Sequence, residues 1–61
     1  MNDLQKLQAS INAIIELNDD TINRATNGDI ADIYRSKNTQ LYVINRLIEK
    51  LERERKRHER N

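Results

Sequence analysis

Cysteine, proline, phenylalanine and tryptophan are absent from this chain, and Gly28 is its single glycine. Without cysteine there is neither a disulfide framework nor a thiolate metal site to hold together a chain of this size. The lack of proline and the near lack of glycine exclude a fold rich in turns, and argue for long uninterrupted helices over strands or barrels. No run of about 18 apolar residues is available to cross a bilayer. The Met1-Asn2-Asp3 start lacks the basic and then apolar pattern of a secretory signal, so a soluble, cytoplasmic protein with no membrane role is expected. What remains is 61 residues, 36% apolar and 34% charged, enough for one small all-α domain with little to bury.

The net charge of +1 hides an asymmetry. Residues 1–45 carry four basic side chains against six acidic ones, whereas residues 46–61 carry seven against four. Positive charge therefore collects towards the C-terminal end, where phosphate, an acidic protein or solvent can meet it.

Asn2 followed by Gln5 has the spacing of a capping box. Leu4, Leu7, Ile11 and Ile14 then recur at helical spacing, and Asn18, Ile22 and Ala25 continue the same face. Asn27-Gly28 reads as a helix stop, because glycine tolerates positive φ, and Asp29 reads as the cap of a second helix. The expected elements are helix one near 3–26, a turn at 27–28 and helix two near 29–58. In the second helix Ile30, Tyr34, Lys37, Leu41, Ile44, Ile48 and Leu51 form a heptad seam.

Folding the chain back at Asn27-Gly28 pairs residues whose numbers sum to about 55 or 56. Ala25 then meets Ile30, Ile22 meets Tyr34, Ile14 or Ile15 meets Leu41, Ile11 meets Ile44, Leu7 meets Ile48, and Leu4 meets Leu51. The one polar layer on this reading is Asn18 with Lys37. Either Lys37 snorkels outward towards Asp19 or Asp20 while Asn18 caps a local kink, or Asn18 fixes register or oligomeric state as a lone interior polar residue does in coiled coils. Two helices touching along one seam bury too little to offset chain entropy. Ala13, Leu17, Ile33, Val43 and Leu47 widen both stripes. The expected architecture is an antiparallel helical hairpin that dimerises into a four-helix bundle, with Leu17, Ile33, Tyr42, Val43 and Leu47 as candidate dimer or partner surface. Tyr42 lies off the main seam, as a cover for the dimer edge or as an anchor for another protein.

Residues that could carry catalysis are few. His58 is the only histidine, and Ser10 and Ser36 have no base beside them. Glu16, Asp19 and Asp20 read as a solvated acidic face, since a narrow hairpin offers little cleft to shift their protonation. No metal-binding, phosphate-loop or zinc-protease motif is present. A non-enzyme without cofactors is expected.

The strongest remaining feature is a basic stripe, Arg53, Lys56, Arg57 and Arg60, at steps of 3, 1 and 3 on the second helix, which projects past the start of the first. Favourable i, i+4 pairs of Glu49 with Arg53 and Glu52 with Lys56 allow a self-paired helix end. The same four cations are candidate contacts for nucleic acid or for an acidic protein, and a dimer doubles them.

In length, hairpin architecture and dimeric bundle the chain is similar to the plasmid copy-number RNA-binding proteins of the Rop type, a likeness of architecture without residue matches that makes RNA binding an analogy. It also resembles the small aspartyl-phosphate phosphatases of sporulating bacteria. Their Ser-Gln-Glu-Leu-Asp motif is replaced here by Leu41-Tyr42-Val43-Ile44-Asn45, so that activity is not carried over. In size, lack of motifs and asparagine-rich helical composition the whole chain resembles small accessory proteins from early regions of temperate bacteriophages. That resemblance implies a non-enzymatic modulator of host or phage regulation that acts by binding.

Overall fold

The computed structural model describes residues 2–60, with side chains described through His58. Two helices make up the fold: α1, Asp3–Arg24, and α2, Gly28–Arg60, packed side by side as an antiparallel hairpin. The capping box at the start of α1 forms as expected. The Gln5 N–H donates to Asn2 Oδ1 at 2.8 Å, and the Asn2 N–H donates to Gln5 Oε1 at 3.2 Å. A cap of this kind stabilises a helix by about 1 kcal/mol, because it satisfies N–H groups that have no partner within the helix.

The reversal differs from the glycine turn expected. α1 ends at Arg24 and is capped by Ala25, which is extended with φ −66° and ψ 127°, and no described residue takes positive φ. Asn27, rather than Asp29, caps the second helix: its Oδ1 accepts from the Asp29 N–H at 2.8 Å and its carbonyl accepts from the Ala31 N–H at 3.2 Å. Gly28 is thus the first residue of α2, and a Cβ there would meet nothing within 4 Å. Asparagine supplies the short acceptor that an N-cap needs, and the extended Ala25 redirects the chain without left-handed backbone.

Between the helices Ile11, Ile15 and Ile48 are buried, and Leu4 and Leu41 pack against them. The buried and half-buried positions of α2 are Ala31, Tyr34, Asn38, Leu41, Asn45, Ile48 and Glu52. This line has heptad spacing, but it replaces Ile30, Lys37, Ile44 and Leu51 of the expected seam by the residue after each. Two parallel heptad lines lie about 100° apart on this helix. Apolarity alone selects the Ile/Leu line, whereas the line that faces α1 contains amides that find partners across the seam. The expectation that all layers but one are apolar is corrected accordingly.

The result is a single layer of two helices, 53 × 18 × 11 Å in extent. Its radius of gyration is 14.9 Å, against about 10–11 Å for a compact chain of this length. Only Ile11, Ile15, Ala31 and Ile48 among the described apolar side chains are buried, and none is below 2% exposed.

Candidate interaction surface

The seam divides the hairpin into two flanks of opposite chemistry. One is laced by amides. Gln8 Nε2 donates to Glu49 Oε1 at 3.4 Å, and Asn45 Nδ2 donates to Asn12 Oδ1 at 2.8 Å. Nearer the turn, Asn18 Nδ2 donates to Asn38 Oδ1 at 2.9 Å, and Asn38 Nδ2 donates in turn to Asp19 Oδ1 at 2.9 Å. Asn38 Nδ2 also lies 3.5 Å from the Ile15 carbonyl oxygen. Asn18 and Asn38 are 8% and 5% exposed, so each would cost about 1–3 kcal/mol if left unpaired. Paired, they lock the register: sliding α2 by one residue removes these bonds and buries the amides without partners. The Asn45 Oδ1 and Glu52 Oε1 atoms are buried without a hydrogen bond.

The partner of Asn18 is therefore Asn38, and the Asn18–Lys37 layer is corrected. Lys37 is exposed beside Ile14 and Ile44, with its ammonium 4.5 Å from the centroid of the Tyr34 ring, a cation–π contact.

The opposite flank is apolar and open. Leu7, Ile14 and Leu17 of α1 lie on it beside Ile30, Ile33, Ile44, Leu47 and Leu51 of α2. All eight are between 42% and 68% exposed. A groove of about 320 Å³ runs between the helices here, lined by Ile14, Asn18, Lys37, Gln40, Leu41 and Ile44. Lone exposed leucines are ordinary on protein surfaces; a stripe on two adjacent helices, interrupted on α2 by Lys37 and Gln40, makes this flank the candidate interaction surface.

Of the other surface candidates, Leu17, Ile33 and Leu47 belong to the apolar flank. Tyr42 and Val43, each 52% exposed, do not. At 3.6 residues per turn Tyr42 falls on the amide-bearing side, and Val43 falls on the edge of α2 that points away from α1. Arg53 and Lys56 line a cleft with Gln5, Gln8, Glu49 and Glu52 on the amide-bearing side, and Arg57 is exposed. Arg60 belongs to α2, with its side chain outside the described residues. The basic stripe thus faces away from the apolar flank.

Among the described residues no group of three or more His, Cys, Asp or Glu is placed to hold a metal ion, and no helix is long and apolar enough to cross a membrane. Ser10 Oγ donates to the Lys6 carbonyl of its own helix at 3.1 Å, and His58 is exposed. The amides at 38 and 45 were missed by sequence reasoning. A signal was available, because they lie seven apart and in register with Ala31, Leu41 and Ile48.

No protein-family model, curated protein or solved structure matches the chain.

Proposed function

We propose that the protein is a non-enzymatic homodimer, two hairpins joined as a four-helix bundle, that acts by binding another protein. The observation that carries this reading is the open apolar flank. The hairpin exposes 5074 Å², against about 4,100 Å² expected for a compact folded monomer of this mass. The excess of about 1,000 Å² is close to the area that each partner contributes to an ordinary stable interface. A second copy stacked flank to flank buries the Ile and Leu stripe and turns one layer of helices into two, which is how helical domains obtain a core.

Once that flank is covered, Tyr42 and Val43 are the large side chains that stay outside, and they are the anchors assigned to the protein partner. The reading agrees with the likeness to small phage accessory proteins, whose role would be modulation of host or phage regulation by binding. A second reading, a nucleic-acid-binding module, draws on one observation: Arg53, Lys56 and Arg57 lie away from the apolar flank and stay accessible in the dimer.

Fluorescence anisotropy with labelled RNA and DNA, beside capture of partners from the native host, separates the two. Protein binding predicts a captured partner that is retained at high salt and lost in the Tyr42→Ala/Val43→Ala variant. Nucleic-acid binding predicts affinity that falls steeply with salt and with Arg53, Lys56, Arg57 and Arg60 changed to Gln. Tight nucleic-acid binding of that kind, with capture unaffected by the Tyr42/Val43 changes, overturns the protein-binding reading.

A further inference from the structure

We propose that the second copy docks head to tail, so that the turn of each hairpin lies beside the open end of the other and the two basic ends point in opposite directions. This rests on the dimer reading and specifies its geometry. Two stackings bring apolar flank onto apolar flank. In one, the twofold axis runs along the helices and both turns lie at the same end. In the other, the axis crosses the hairpin at mid-height, α2 lies on the partner's α2, and the turns lie at opposite ends.

Charge decides between them. The turn end, residues 19–37 in the register of the Asn18–Asn38 bond, carries Asp19, Asp20, Asp29 and Asp32 against Arg24, Arg35 and Lys37, a net of −1. The open end brings residues 46–61, with seven basic and four acidic side chains, beside residues 1–10, where Asp3 and Lys6 cancel. Stacking with both turns together sets two open ends of like charge side by side, and two acidic turns likewise. The head-to-tail stacking separates the two basic ends, each of which projects just past the partner's acidic turn, and this lowers the repulsion.

Side-chain size fits the same arrangement. With the axis near Gln40, the exposed line of α2 pairs Ile30 with Leu51 of the other copy and Ile33 with Leu47, and sets Ile44 beside the aliphatic stem of Lys37. At the centre α2 offers the polar Lys37 and Gln40, and there α1 supplies bulk, Ile14 opposite Leu17. On either side of these α1 offers the smaller Ser10 and Thr21, nearly level with the large Leu47 and Ile33 of α2, and Leu7 lies beyond Ser10. The centre on α1, between Ile14 and Leu17, lies level with Gln40 in the register set by the Asn18–Asn38 bond. One crossing axis therefore serves both helices.

The chain has no cysteine, so a spin label on Lys56→Cys reports one distance by pulsed dipolar spectroscopy, while sedimentation reports the mass of the same sample. Lys56 lies sixteen residues beyond Gln40, and head-to-tail docking predicts about 48 Å between labels at about 1.5 Å per residue. A labelled dimer with a distance below about 25 Å, the span of the bundle cross-section with label arms, overturns the orientation and leaves the dimer standing. A folded monomer on sedimentation overturns the dimer itself. The Gln40→Cys variant tests the axis independently, because only the crossing axis brings position 40 against itself. Its oxidation to a disulfide-linked dimer at micromolar concentration supports head-to-tail docking, and failure to oxidise while sedimenting as a dimer overturns it.

Discussion

The two flanks of the hairpin solve different problems. The amide-bearing flank pairs polar groups within one chain: Asn18, Asn38 and Asp19 bond to each other and Asn12 meets Asn45, leaving Asn45 Oδ1 and Glu52 Oε1 without a hydrogen bond. The apolar flank is unfinished, since its large side chains have no layer above them. Specificity and stability therefore reside in different places. Directional amide bonds select one register of α1 against α2 but contribute little net free energy, whereas non-directional apolar area supplies the free energy only when something covers it. The two roles are placed on opposite sides of one seam.

The largest effect should come from the seam that both flanks share. Ile48 is 3% exposed and touches the buried cluster of Ile11 and Ile15, so Ile48→Ala should cost about 2–5 kcal/mol. In a protein this small the helical circular dichroism should be lost at moderate urea concentrations or on mild heating.

Next comes the apolar flank. Leu47 is 56% exposed in the hairpin, and in a lone hairpin Leu47→Glu should change stability by less than about 0.5 kcal/mol. In the dimer it places a charge in a buried layer, so the expected loss is at least about 1.5–3 kcal/mol, the worth of a buried leucine. Urea midpoints of wild type should rise with protein concentration, while those of Leu47→Glu should sit lower and stay flat.

The amide flank should respond in a third way. Asn18→Ala leaves the Asn38 side-chain oxygen without its donor and should cost about 1–3 kcal/mol. Changing Asn18 and Asn38 together to Leu should be neutral or stabilising, yet give more than one oligomeric species by sedimentation, because the device that fixes register is gone. A single species from the double variant would remove the register role assigned to that flank.

The smallest effect is at the reversal, which belongs to neither flank. Gly28 has no positive φ and open space around its Cβ position. Gly28→Ala should therefore stabilise the protein by about 0.4–1 kcal/mol, by restricting the unfolded chain. Thermal unfolding followed by far-ultraviolet circular dichroism checks this.

Much of this fold was legible in the residue pattern. The capping box, the two amphipathic helices and the antiparallel hairpin follow from spacing and from the scarcity of helix breakers. Two features were not. Hydropathy places the seam of α2 on Ile30, Lys37, Ile44 and Leu51 because it ranks asparagine as a surface residue, and that ranking ignores a partner amide on the other helix. The single glycine draws the turn to itself in the sequence, although Asn27 carries the cap. The exposed apolar flank is partly legible. Leu17, Ile33 and Leu47 share one flank, but Tyr42 and Val43 fall elsewhere on the helix, a separation that emerges only once the facing line is known.

The open flank makes self-association the central claim, and sedimentation velocity across low to high micromolar concentrations at physiological salt tests it most directly. The account predicts a species of twice the 7.2 kDa chain mass that dissociates on dilution or on Leu47→Glu. A well-folded particle of 7.2 kDa at every concentration would contradict it.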